Sequence, residues 1–300
     1  MVARVEAAAG DASQIRGGSR GICYNRHVKH ELARLPLLSI AAAASIFLLS
    51  CAGPHNYVAP TEPRYSGCYT ASPDSTEIRA VTFNIKFSEK VEKAIDLLKS
   101  SPDLRGADIV LLQEMDASGV HRIAFALGLC YVYYPATVHP SSGRDFGNAI
   151  LSRWPIENDR KIILPHKGRF GKTQRIAVTG TIQVRGRSIQ VYSYHLATWI
   201  EVSFKHRKDQ ARAILEDAGR GPRDVIIGGD LNSHDVGDVF AENGYTWPTR
   251  DLGHTAINGT LDHFFLRGLG LRDSSSAGVV PDNLGSSDHK PVWVVLKPPP

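Results

Sequence analysis

Apolar residues in this chain come in short runs broken by polar turns, and most runs are too short for helices. Residues 78–85 are β-rich, residues 107–113 form an apolar stretch too short for a stable helix, and residues 149–151 belong to another short strand. Residues 176–184 and 188–196 flank Arg185-Gly186-Arg187 and predict a hairpin. A buried-type strand over 224–227 runs into Gly228-Gly229, and residues 261–266 and 291–296 close the series. Helical spacing is rarer. Residues 89–100 predict one helix. A second is expected after Thr198-Trp199-Ile200-Glu201, which has capping-box spacing, with Phe204, Ala211, Ile214 and Leu215 as its stripe and Gly219 and Pro222 as its stop. Many strands with few helices predict two sheets packed face to face with helices outside.

The amino-terminal quarter follows another pattern. Residues 35–49 are almost uninterruptedly apolar behind Lys29, His30 and Arg34, and end at Leu48-Leu49-Ser50-Cys51. That run is short for a helix crossing a hydrocarbon core of roughly 30 Å but suits the apolar part of an export signal. Its tail resembles the bacterial lipoprotein box, with Cys51 as the acylated residue and Leu49 where a smaller side chain is commoner; an uncleaved anchor or cleavage near Ala52-Gly53 are the alternatives. The expected division is a leader over 1–50, a Pro/Ser/Thr/Gly-rich tether over 51–76 and a folded domain over 77–297. The product would be exported and membrane-anchored, facing the periplasm or cell exterior. The stretch before the signal suggests translation from downstream, near Val28.

Charge excludes little once the leader is set aside. Of 35 basic and 30 acidic residues, six and three lie in residues 1–50, so the remainder carries 29 and 27. Such a balance gives no concentrated basic face for nucleic acid. Cys68 and Cys130 could pair in an exported compartment or stay as separate thiols.

Chemistry concentrates at strand ends. Asp230 and Asn232 follow a buried strand in Gly228-Gly229-Asp230-Leu231-Asn232-Ser233, and in extended chain both would point the same way. Asp288-His289 precedes a Lys-Pro-apolar strand and pairs an acid with a group that titrates near neutrality. Asp262 lies inside the apolar Leu261-Asp262-His263-Phe264-Phe265, where pairing with a histidine offsets its burial. Glu114 ends the run Ile109-Val110-Leu111-Leu112 and offers an oxygen to Mg²⁺. His195, Asn84, Asn148 and Arg175 also sit at strand ends, where each alone is as readily a core, turn or surface residue.

Together, polar residues at the ends of six or seven apolar strands in this order resemble the endonuclease/exonuclease/phosphatase superfamily over about residues 77–296. The resemblance implies a deoxyribonuclease-like α/β fold, a four-layered sandwich of two packed mixed β-sheets flanked by helices. It implies Glu114 as the main metal carboxylate, with Asn84 beside it and Asp288 joining, and Mg²⁺ or alternatively Mn²⁺ as the cofactor. Asp230 would orient or deprotonate water, Asn232 would help position it, and His195 would stabilise charge on phosphorus. His289, oriented by Asp262, would bind phosphate or exchange a proton, and Asn148 and Arg175 would contact the substrate. Asn84-Ile85-Lys86 lacks the acid that AP endonucleases carry there, and no Trp-Cys-Asp-Arg precedes Asp262 as in inositol-phosphate phosphatases.

Three functions follow. One is a tethered phosphodiesterase acting on nucleic acid, with Lys205-His206-Arg207-Lys208 as grip or merely a solvated helix face. Another is a phospholipid or small-phosphoester hydrolase, with Trp199, Ile200 and Phe204 facing a membrane or packed in the core. The third is an inactive binding module. The implied partners are a phosphoester substrate and a membrane reached through the lipid anchor; no protein partner is implied.

Overall fold

The computed structural model describes residues 55–69 and 77–297. The expected leader, Cys51 and the proposed start near Val28 lie outside the described residues. In chain order the strands are β1 (Tyr65–Gly67), β2 (Ile78–Asn84), β3 (Ile109–Met115), β4 (Cys130–Val138), β5 (Asp145–Ser152), β6 (Glu157–Ile163), β7 (Ile176–Val184), β8 (Arg187–His195), β9 (Asp224–Asp230), β10 (Asp262–Arg267), β11 (Ala277–Val279) and β12 (Val292–Leu296). The α-helices are α1 (Val91–Ser100), α2 (Ala117–Leu127), α3 (Phe204–Ala218) and α4 (Asp238–Ala241).

Seven strands form one sheet in the order β1-β4-β5-β3-β2-β12-β11, and five form the other in the order β10-β9-β8-β7-β6. The pairs β2–β3 and β8–β9 are parallel, and the remaining pairs are antiparallel. Parallel neighbours need a crossover, and α1 and α3 supply one each. Ile109, Leu111, Ile150, Val178, Val191, Ile226, Phe264 and Val292 fill the space between the sheets. Val91, Ala94 and Leu98 of α1 with Val120 and Ile123 of α2 cover the outer face of the first sheet. Ala211 and Ile214 of α3 with Val239 and Phe240 of α4 cover the second. The fold is thus the expected four-layered α/β sandwich. Strands buried on both faces read as continuous apolar runs, which is why β3 and β9 were legible.

Three expectations changed. Residues 55–69 are not a free tether. Tyr57 N donates to Ala136 O at 2.9 Å, β1 pairs with β4, and Cys68 is disulfide-bonded to Cys130. The arm then reaches the second sheet, where Lys161 Nζ donates to Glu62 O at 2.8 Å. An exposed β4 edge offers unpaired backbone groups, and the arm satisfies them. The capping-box bonds form, Thr198 N to Glu201 Oε2 at 2.8 Å and Glu201 N to Thr198 Oγ1 at 3.3 Å, but they close a turn. Helix α3 starts instead at Ser203, whose side chain accepts from His206 N. Finally α2, β4 and β6 arise where no periodicity announced them.

Candidate active site

The site forms where β2, β3, β8 and β9 end and β10 begins. Glu114 owes its direction to a bulge: the β3–β5 register shifts between Leu112 and Met115, and Glu114 adopts φ 59°. A non-glycine residue in that region is strained, and the bulge re-aims its carboxylate. Asn84 Nδ2 bridges Glu114 Oε1 and Asp230 Oδ2, both at 3.1 Å. Ser287 Oγ donates to Asn84 O at 2.7 Å and accepts from His289 N at 3.2 Å, tying the Asp288-His289 segment to the end of β2.

Gly229 explains the double glycine before Asp230. It has φ 156°, and a Cβ there would lie 2.0 Å from Tyr194 O. The close approach sets Asp230 beside His195, with His195 Nε2 at 3.5 Å from Asp230 Oδ2. After Asp230 the chain turns sharply. Asn232 has φ 51° and its N–H donates to Asp230 Oδ1 at 2.7 Å, so the two side chains do not point alike as in a strand. Asn232 Nδ2 donates to Leu196 O at 3.0 Å.

Asp262 is fully buried and its Oδ2 lies 2.8 Å from His289 Nδ1, while His289 Nε2 is 3.8 Å from Asp230 Oδ2. Burial works against a charged imidazole, yet Asp262 and Asp230 outweigh it and push His289 up to about 10. Burial, reinforced by the negative charge of Asp262, raises Asp230 to about 7. His195 moves the other way: burial, helped by Arg175, holds it neutral well below its ordinary range. Burial also raises Glu114. One imidazolium and one neutral imidazole therefore flank Asp230, which suits proton exchange on one side and hydrogen-bond donation on the other.

Arg175 lies with Nη1 3.0 Å from the His195 ring nitrogens and donates through Nη2 to Glu201 Oε2 at 2.7 Å. Burial opposes the Glu201 charge, but Arg175 prevails and keeps its pKa below the ordinary carboxylate range. Asn148 does not offer its amide outward. It is buried, and Nδ2 donates to Ile176 O at 3.0 Å and Ser193 O at 3.4 Å, fastening the two sheets together. Its expected phosphate contact is replaced by this internal role, because those amide hydrogens satisfy backbone carbonyls. Asp288 stands exposed at the rim, 3.6 Å from Lys86 Nζ.

Glu201, Ser287 and Lys86 escaped sequence reasoning. Ser287 directly precedes the Asp288-His289 pair, and Glu201 was absorbed into the capping box. The basic run on α3 is partly structural: Arg207 is buried and donates to Asn232 O at 2.9 Å. Trp199 and Ile200 are exposed, at 71% and 53%, against the alternative of core packing.

The donor set fits a hard divalent cation. Glu114 lines a cavity of about 200 Å³ and has one hydrogen-bond donor in Asn84, leaving lone pairs for coordination. Asp230, Asp262 and His289 also place potential ligand atoms within 4.8 Å of one another. Their shortest contact is already a carboxylate–imidazole hydrogen bond, and Asp262 Oδ1 is buried without a partner. Two of the trio's atoms are thus engaged with each other, whereas Glu114 beside Asn84 opens onto a cavity.

The profile of the Endonuclease/Exonuclease/phosphatase family matches residues 81–289. Comparison with curated protein sequences gives no significant match. Among solved structures, an endonuclease/exonuclease/phosphatase from Beutenbergia cavernae is 20% identical, with TM-score 0.60 over 75% of this chain and 72% of that one. The human Nocturnin catalytic domain with bound sulfate is 20% identical, with TM-score 0.59 over 79% and 97%. Humanized D. rerio TDP2 is 16% identical, with TM-score 0.57 over 74% and 99%.

Proposed function

Because the chain belongs to the endonuclease/exonuclease/phosphatase family, we propose that it is a metal-dependent phosphodiesterase using Mg²⁺, or Mn²⁺, and acting outside the cytoplasm from a membrane anchor at Cys51. The observation that carries this reading is the convergence of Glu114, Asn84, Asp230 and His195 on the Asp262–His289 pair. Glu114, with Asn84 and with Asp288 at the rim, would hold the cation. Bound there, the cation neutralises phosphate oxygen charge and assists the leaving group.

The protein's own groups account for the rest. Asp230, once ionised, accepts a proton from the attacking water, and Asn232 N–H holds its other oxygen in place. His289, kept cationic by Asp262, offers an N–H to a phosphate oxygen. Neutral His195 donates a hydrogen bond to the charge that develops on phosphorus. Arg175 adds a fixed positive charge beside it.

Two cavities support a diester rather than a monoester. The one of about 200 Å³ touches Glu114 and Arg175, another of about 420 Å³ touches Asn232, and Thr198 lines both. Each could take one organic arm of the ester. Exposure of Phe170, Trp199 and Ile200 favours a second reading, hydrolysis of a phospholipid at a membrane surface. The Cys68–Cys130 disulfide supports an oxidising compartment.

The test is turnover of plasmid DNA, RNA, sphingomyelin, phosphoinositide and bis(p-nitrophenyl) phosphate with Mg²⁺ or Mn²⁺. Hydrolysis of the synthetic diester with at least one natural diester is expected. No turnover with any substrate would leave an inactive binding module. Radiolabelled palmitate should enter the wild-type chain in a bacterial host and not Cys51→Ser; equal labelling of the two would refute the anchor.

A further inference from the structure

The cavity beside Glu114 has a composition that metal-assisted hydrolysis does not require. Three rings form one wall: Phe87 and His139 have centroids 4.4 Å apart, and each lies 5.6 Å from Phe146. Opposite polarity comes from Arg175, Thr173 and Glu201, which line the same space. The Arg175 guanidinium also lies 5.2 Å from the Phe146 ring, which continues the wall of tilted rings toward the phosphate site. Phe87 is held in a left-handed conformation, φ 54°, and Arg144 donates to its carbonyl. Such a backbone is costly for an aromatic residue and persists only where surrounding contacts fix it.

We infer that this cavity is a subsite for a planar heteroaromatic group, the base of a nucleoside, on one arm of the phosphodiester. The inference rests on the phosphodiesterase reading and adds the substrate class. Its volume of about 200 Å³ suits one ring system rather than a length of polymer. Aromatic walls bind any base by its face, and the polar side meets the hydrogen-bonding edge.

Aromatic walls could equally attract a quaternary ammonium headgroup. Charge decides against it here. Arg175 faces the cavity with a permanent positive charge, and both carboxylates that line it have other partners: Glu201 is engaged with Arg175 at 2.7 Å, and Glu114 would face the catalytic cation. Burial and the Arg175 charge also keep His139 below its ordinary range, which fits a neutral ring stacked on a neutral base.

The experiment compares thymidylyl-thymidine with two analogues, each lacking one of its bases, and with a phosphocholine diester, all in Mg²⁺. Loss of one base should lower kcat/KM about tenfold or more, mainly through KM, as expected for a stacked base. The ratio of intact to abasic substrate should fall toward one in His139→Leu and in Phe87→Ala, each checked for an unchanged melt. Equal turnover of intact and abasic diesters by the wild type, or preference for the phosphocholine diester, would overturn the inference.

A binding measurement separates its failure from failure of the hydrolase reading. Metal-free protein should bind thymidine 5′-monophosphate about tenfold more tightly than ribose 5-phosphate, and His139→Leu should abolish the difference. If no diester is hydrolysed but this difference holds, the hydrolase reading fails and the base subsite stands. If the two phosphates bind alike, the base subsite fails.

Discussion

Replacing Asp262 by Asn removes one charge from the site while keeping the shape of the side chain. In the folded protein Asp262 Oδ2 lies 2.8 Å from His289 Nδ1 and the carboxylate is fully buried. Unit charges about 4 Å apart at an effective dielectric near 20 attract by about 4 kcal/mol, or about three pKa units. That is comparable to the rise of His289 from 6.5 to about 10. Without Asp262, burial, the largest influence, opposes the imidazolium with only Asp230 and, more weakly, Asp288 to help, and His289 should move down toward its ordinary range. The sign of the linkage follows. A folded-state value above the ordinary one means that protonated His289 contributes stability in full below about pH 6.5 and loses it as pH rises through about 10. Asp262→Asn should lack that decline. At pH 8 the wild type keeps His289 cationic and the variant does not, so kcat on bis(p-nitrophenyl) phosphate should fall by about 10²- to 10⁴-fold, with partial recovery toward pH 6. Imidazole NMR on metal-free protein, with His289 assigned by substitution, measures the titration directly. A variant that keeps His289 protonated at pH 8, or keeps the wild-type pH–rate profile, would refute the charge-relay reasoning.

Glu114→Gln should raise the Mg²⁺ concentration needed for half-maximal activity at least about tenfold with little change in melting temperature; an unaltered metal titration would exclude Glu114 as the principal ligand. Gly229→Ala should destabilise the fold by more than about 3 kcal/mol, because its Cβ would meet Tyr194 O at 2.0 Å, and a melt within a few degrees of wild type would contradict the close approach. Lys161 is almost fully buried, donates to Glu62 O and Pro135 O, and burial lowers its pKa to about 8. The folded state therefore holds fewer protons than the unfolded one between about pH 8 and 10.5, and stability should rise with pH across that window. Urea denaturation of wild type against Lys161→Met checks this: the difference should shift in favour of the wild type from pH 8 to 10, and a constant difference would refute it.

Much of the fold was readable because strands buried on both faces need uninterrupted apolar runs, as in Ile109–Met115 and Asp224–Asp230. The Arg185-Gly186 hairpin was legible for a similar local reason, since both residues take positive φ, 51° and 77°. Helix α2 and strands β4 and β6 were not. The periodicity of β4 is hidden because eight of its nine residues are buried, including Tyr133, Tyr134 and Pro135. Among site residues, alternation misplaced Asn232 because the chain leaves β-geometry directly after Asp230. It could not foresee Glu114, whose direction depends on a bulge against β5. Asn148 looked like a substrate contact, yet it serves carbonyls on β7 and β8. The capping box at Thr198 made its hydrogen bonds without starting a helix, since Glu201 also answers to Arg175.

By itself the sequence determined most of the segments that become strands, the residues that stand at their ends, and therefore which chemistry was available. Those properties are local: hydrophobic period and turn preference act over a few neighbouring residues. Only the tertiary structure decided that the arm at 55–69 seals the β4 edge and that Cys68 meets Cys130. It also decided the protonation of the site. Desolvation and the attraction between charges depend on burial and on distances of a few ångströms, and those distances exist only once strands remote in sequence have been brought together.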